Sequence, residues 1–236
     1  KAANIPFTLF IPTASVNVQN ENSMTWDQIR ELASDPLVDI GHHGHTHAHM
    51  TQMSSADALA DIELADEIFN RELGYVPDIF AYPYGEYSNE LTAVLEPKNY
   101  RAAFGQYSSA ASSSLDVKTL PRFAFNENYA DLERFKLIIN SKALPIKDIL
   151  PRSPNLEINP PAVGFTVSED IDGLGAIGCF PSHMNEAAKV IRIGDNRIEI
   201  RFDKPFPSGR HRINCTMPGP DNRWYWFGMP FFNLGD

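Results

Sequence analysis

Across residues 1–145, short apolar runs of strand length alternate with amphipathic helical stretches. "FTLFIP" (Phe7–Pro12), "LVDIG" (Leu37–Gly41), "DIFAYPYG" (Asp78–Gly85) and "YRAAFG" (Tyr100–Gly105) are the apolar runs. Each has the length of a buried strand and is too short for a buried helix. Between the first two lies "MTWDQIRELAS", with Thr25 as N-cap and Gln28 three residues on, the pattern of a capping box. The clearest helix is "SSADALADIELADEIFNRELG", where Ala58, Ile62, Ala65, Phe69 and Leu73 recur on one face. Ser55 is placed to cap its start and Gly74 to end it. Further helices are expected from about Ser88 to Leu95 and over Asp131–Ser141. Such alternation requires a parallel sheet, or a barrel, wrapped by helices.

The pattern then changes. Ala143–Gly164 is proline-rich and reads as a linker or extended wrap, since proline breaks helices and stiffens extended chain. "KVIRIGDNRIEIRF" alternates apolar and polar residues on either side of a Gly-Asp-Asn turn, a hairpin signature. "RHRINCTMP" and "NRWYWFGMPFF" read as further strands. On the second, Trp224 and Trp226 share one face, and Tyr225 and Phe227 the other. The expected organisation is an α/β domain over 1–145, a linker over 146–161 and a β-sandwich-like accessory module over 162–236. "SSAASSS" (Ser108–Ser114) reads as a loop.

Composition narrows the partners. The 236 residues carry a formal charge of −10 and no basic tract, which argues against nucleic acid and strongly anionic polymers. A neutral or weakly cationic ligand fits better. No apolar run reaches the roughly 18 residues of a membrane span. The two cysteines, Cys179 and Cys215, form no Cys-x-x-Cys. They are either two buried thiols or one disulfide of an exported chain.

Five of the seven histidines fall within "HHGHTHAH", straight after a strand. His43 and His47 are four apart, as are His45 and His49, which puts two imidazoles on one side of a helical turn. A catalytic zinc takes about three protein ligands and an open position. Functional sites in parallel sheets and barrels gather at the carboxyl ends of strands. The alternatives are a histidine-rich surface loop and a pH-sensing patch.

"DIGHHGHTHAHM" resembles the His-x-x-x-His motif of polysaccharide deacetylases, the carbohydrate esterase family 4 or NodB-like domains. "FAYPYGEYS" resembles their third motif, with Ala81 where many members have arginine. "KAANIPFTLFIPT" and "NYRAAFG" resemble neighbouring strands. "LPRF" (Leu120–Phe123) is similar to a segment of the circularly permuted branch acting on poly-N-acetylglucosamine. The resemblance covers about residues 4–140. It implies a distorted (β/α) barrel lacking its first strand, plus the C-terminal all-β module.

For the site, the resemblance implies His43 and His47 as ligands of a divalent metal, zinc first. Gly44 departs from the usual Ser/Thr; Thr46 keeps it and is expected to orient the loop, with Asp39 as a supporting carboxylate. The backbone N–H of Tyr84 would hold the oxyanion. Arg122 would stand in for the missing arginine and orient the catalytic aspartate. Tyr82, Pro83 and Tyr87 would line the sugar site, with core packing as the alternative for Tyr82. The exported habit of the family favours a Cys179–Cys215 disulfide and a place outside the cytoplasm.

The implied reaction removes N-acetyl groups from an N-acetylglucosamine-containing polysaccharide or oligosaccharide. An O-acetyl esterase acting on xylan-like polymers is the competitor, followed by a non-catalytic glycan-binding protein and a bare metal-binding protein. The family's Thr-Phe-Asp-Asp strand and its acid histidine have no counterpart in the chain. The expectation is therefore a fragment, inactive or nearly so by itself.

Overall fold

The structure, a computed structural model, describes residues 4–16, 18, 23–128 and 130–233. The chain divides into two compact units, one of residues 1–105 with 117–120, the other of 106–116 with 121–236.

The first unit is built on four parallel strands in sequential order: β1 (Phe7–Ile11), β2 (Val38–His42), β3 (Ile79–Ala81) and β4 (Ala102–Phe104). Most of these residues are apolar, as befits strands covered on both faces. The connections carry α1 (Thr13–Val16), α2 (Trp26–Ala33), α3 (Ser55–Leu73) and α4 (Asn89–Leu95). A sequential order with crossovers of one hand keeps successive helices on one side, the arrangement of a barrel wall. The sheet also curls. Phe10 on β1 and Phe104 on β4 lie on opposite edge strands, yet their rings meet edge-on at 5.9 Å. Gly41 makes room for this: a Cβ there would run into the Phe10 ring, which sits opposite it in the register.

Local chemistry explains the helix ends. Thr25 and Gln28 form the expected reciprocal capping box on α2. α3 is capped by Ser54, whose hydroxyl accepts from the Asp57 amide, and not by Ser55, which is the first helical residue. Gly74 ends α3 in the left-handed region at φ 80°. The buried stripe of α3 is Ala58, Asp61, Ile62, Ala65, Ile68 and Phe69. Ile62 packs with Phe80, Tyr82, Leu91 and Leu95 in one core cluster, and Ala65 and Phe69 with Ile11, Ile29 and Ile40 in another. Residues 117–120 run beside β4: the Ala103 and Gly105 amides donate to the Val117 and Leu120 carbonyls, and the Leu120 amide returns a bond to Ala103.

The second unit holds α5 (Leu132–Ile139) and eight strands: β5 (Lys142–Ala143), β6 (Ile146–Leu150), β7 (Val163–Val167), β8 (Gly178–Pro181), β9 (Lys189–Ile193), β10 (Arg197–Arg201), β11 (Gly209–Pro218) and β12 (Trp224–Asn233). They form two four-stranded sheets, β6-β7-β10-β9 and β5-β12-β11-β8. Inward residues of both sheets join one core, with Phe165 against Phe227 at 5.0 Å, so this is a sandwich. The β9–β10 hairpin turns at Gly194–Asn196 as its sequence requires. Residues 146–161 are not a linker throughout: Ile146–Leu150 pairs antiparallel with β7, and Leu144 and Ile146 are core. Cys179 and Cys215 sit opposite each other on β8 and β11 and are disulfide-bonded, with Cα atoms 4.0 Å apart. Among the described residues no helix is long and apolar enough to cross a membrane.

Candidate functional site

The candidate site is at the carboxyl ends of β2 and β3. β2 ends at His42, and the chain continues through His43 to His49 as a loop with no regular structure. His42 does not face this loop's open side. It is fully buried, its ring against Phe69, Phe80 and Tyr100. Its Nδ1 accepts from the Gly44 amide at 3.1 Å, so the proton is on Nε2, which lies 3.1 Å from Asp66 Oδ1 and off the line of an ideal hydrogen bond.

His43 and His47 come together. Their ring centroids are 4.8 Å apart with the planes at 68°. His43 Nδ1–H donates to the Ala81 carbonyl at the end of β3, at 2.5 Å. A carbonyl can only accept, so Nε2 is the nitrogen that keeps its lone pair, the tautomer a metal ligand needs. The other pair does not converge. His45 Nδ1 bonds the Thr13 hydroxyl at 2.8 Å, and His49 Nδ1 bonds Glu86 Oε2 at 2.8 Å.

The loop is held from behind by Asp61 on α3. Its Oδ1 accepts from the His45 amide at 2.7 Å, and its Oδ2 from the Thr46 amide at 3.0 Å and the Thr46 hydroxyl at 2.5 Å. Thr46 thus orients the loop as the resemblance implies, but through a carboxylate 15 residues on. Asp39 has no such part: it is exposed, three residues before the end of β2, beside Arg101 and Tyr75. The amides of Thr13 and Ala14 add bonds to the Gly44 and His45 carbonyls. Gly44 is required by its backbone. It has φ 72°, and a Cβ would come 2.5 Å from Met50 Cε and 2.8 Å from Asp61 Oδ1. The departure from Ser/Thr here is a consequence of that conformation.

The segment after β3 supplies the facing wall. Tyr84 adopts φ 57° in the turn Pro83–Gly85 and is 36% exposed. Its ring lies flat on His49 at 3.9 Å and 6°, and meets His47 edge-on at 4.7 Å. Glu86, 3% exposed, anchors His49 and also accepts from Thr51. Burial keeps two of the other expected sugar contacts, Tyr82 and Pro83, off the surface. Tyr82 is fully buried in the core, its hydroxyl donating to the Lys118 carbonyl at 2.9 Å, and Pro83 is buried as well. An extended chain would have put Tyr82 and Tyr84 on one side; the left-handed turn at Tyr84 sends them apart. Tyr87 is half-buried and packs against Tyr82 at 5.7 Å. Arg122 belongs to the second unit and is half-buried; burial pushes its guanidinium below the ordinary value.

His43 and His47 fit two imidazole positions of a divalent-metal site. Among the described residues no group of three His, Cys, Asp or Glu side chains completes one. Asp61 and Glu86 were not legible as site residues. The available signal was a carboxylate at position 61 within the apolar stripe Ala58–Ile62–Ala65.

Residues 1–103 match the family model of polysaccharide deacetylases. Streptococcus pyogenes deacetylase PplD, solved in complex with acetate, is 17% identical, with TM-score 0.54 over 58% of this chain and 60% of that one. IcaB from Ammonifex degensii is 22% identical, with TM-score 0.46 over 54% and 59% of the two chains. The family 4 carbohydrate esterase from Streptomyces lividans, in complex with acetate, is 25% identical, with TM-score 0.35 over 43% and 50%. The chain therefore spans three-fifths or less of the length of each of these structures. No curated protein matches. The likeness to PplD is one of fold. Residues 1–103, the stretch that carries the histidine loop, are thus similar in sequence to polysaccharide deacetylases.

Proposed function

We propose that the protein is a metal-dependent polysaccharide deacetylase that removes N-acetyl groups from N-acetylglucosamine-containing glycans outside the cytoplasm. The observation that carries this reading is the convergence of His43 and His47, with the His43 tautomer set by the Ala81 carbonyl. These two imidazoles would hold the metal, zinc in the first instance. A bound divalent cation would polarise the acetyl carbonyl and acidify water. Tyr84 walls the site, and its backbone N–H would donate to the acyl oxygen as negative charge builds there, a contribution of roughly 3 kcal/mol for such donors. The His49 stack and the Glu86 anchor keep Tyr84 in place before substrate arrives.

The preference for an amide over an O-acetyl ester rests on the resemblance of Leu120–Phe123 to the permuted, poly-N-acetylglucosamine branch. The same resemblance gives Arg122 its role of orienting a carboxylate. The Cys179–Cys215 disulfide supports export. The test is His43→Ala in the whole protein, with bound metal measured by mass spectrometry and acetate release measured on chitooligosaccharide and acetylated xylan. Metal and acetate release should be lost together, with chitooligosaccharide the better substrate of the parent. Full metal content in the variant would move the site elsewhere.

A further inference from the structure

The two tryptophans of β12 have different surroundings. Trp226 is half-buried, packs edge-on against Phe123 at 5.1 Å and donates its indole N–H to Asn214 Oδ1 at 3.4 Å. Packing and hydrogen bonding account for it. Trp224 is 40% exposed and makes neither a ring contact nor an indole hydrogen bond among the described residues. It borders an open cleft of about 470 Å³ between the end of α5 and the Pro220–Asn222 turn. This volume lies within the roughly 300–1,000 Å³ of small-molecule sites.

The cleft is built and rigid at its base. Arg223 Nε donates to the Asn140 carbonyl at 2.6 Å, and its Nη2 to the Ser141 carbonyl at 3.3 Å, tying the turn to the helix end. Asp221 and Asn222 both adopt left-handed conformations, φ 60° and 57°, side by side. Such backbone is costly for residues other than glycine and gathers at functional positions. The two side chains stay exposed, and neither makes a hydrogen bond among the described residues. Asn140 and Glu133 line the facing side.

We propose that this cleft binds a pyranose ring of a neutral glycan chain, stacked on Trp224. A pyranose has one face of C–H bonds, which suits the negative face of an indole. Its rim of hydroxyls both donates and accepts, which suits the amides of Asn140 and Asn222 and the carboxylates of Asp221 and Glu133. The lining balances Glu133 and Asp221 with Lys136 and Arg223, Lys136 pairing with Glu133 at 2.8 Å, so it carries no net charge to select an ionic sugar and suits a neutral one. The site is distinct in its residues from the His43–His47 loop and does not depend on that loop's chemistry.

The experiment is oxidative footprinting of the whole protein, read by peptide mass spectrometry, with chitopentaose and cellopentaose as probes at millimolar concentration. Oxidation of Trp224 should fall several-fold with a glycan present, while Trp26 and Trp226 keep their rates. Trp224→Ala should weaken glycan affinity by about tenfold in calorimetry, the loss of one stacked ring, and Trp224→Tyr should restore part of it. His43→Ala should leave the Trp224 footprint intact. An unchanged Trp224 rate with both probes overturns the proposal. So does a footprint that disappears in His43→Ala, since the bound glycan would then belong to the histidine loop.

Discussion

A single carboxylate decides the shape of the histidine loop. Asp61 takes three donors from two consecutive residues, and those residues lie between His43 and His47. Replacing it by asparagine keeps the volume but turns one acceptor into a donor facing Thr46. If His43 and His47 hold a metal as proposed, Asp61→Asn should weaken its binding by roughly 10–100-fold in a chelator competition, as loss of an outer-shell partner typically does. Circular dichroism should show the fold retained; metal affinity equal to that of the parent would remove Asp61 from the mechanism. At this scale the sequence was half legible. The spacing of His43 and His47 is local, so it could be read. The partners of the loop are not: Asp61 is on the next helix, Glu86 follows a different strand, and a carboxylate in a helix looks solvated until its face is known. Tyr82 was open between wall and core, and the left-handed turn at Tyr84 that separates the two rings is invisible in the motif.

Helices and long strands announced themselves through caps, turns and period. The capping box of α2 and the hairpin at Gly194–Asn196 follow from short-range chemistry and lie where it puts them. β5 and β6 were missed because they are short, separated by Pro145 and set in a stretch whose prolines suggested a linker. The buried link between β2, α3 and the segment before β4 has a pH signature. Asp66 on α3 is partly buried, which alone would raise its pKa, but the close approach of the His42 imidazole and a hydrogen bond from Lys98 outweigh this and hold the carboxyl below its ordinary 3.8. With a lower pKa folded than unfolded, Asp66 binds fewer protons in the native state near pH 4. Its stabilisation is therefore complete above about pH 4 and is lost as pH falls through the folded value. Denaturant unfolding followed from pH 6 down to pH 2 should show a shallower acid limb in Asp66→Asn than in the parent. Identical limbs would mean that the carboxylate is equally solvated in both states.

At the scale of the whole molecule, the alternation of strand and helix followed by alternating apolar strands gave an α/β unit and a β-sandwich. Where one unit stops was not legible, because long-range pairing draws that line. The sandwich carries its own covalent brace. Cys179 and Cys215 close a loop of 36 residues, and removing both sulfurs should lower the stability of this unit by about 2–4 kcal/mol in denaturant unfolding. A double serine variant with unchanged midpoint would mean that the bond adds nothing to the packed β8–β11 pair.

The return of residues 117–120 to the first unit has a practical bearing on how the protein is divided. A truncated version ending at Gly105 looks natural, since β4 is complete there. It would strip the Ala103 and Gly105 amides of their carbonyl partners and take away the acceptor of the Tyr82 hydroxyl. The parallel sheet would then present an open edge, a template for aggregation. A version ending at Leu120 keeps that edge covered at the expense of a loop over 106–116. Expressed side by side, the shorter piece should collect in the insoluble fraction and the longer one should not. The useful place to cut this chain is fixed by four residues that come home late.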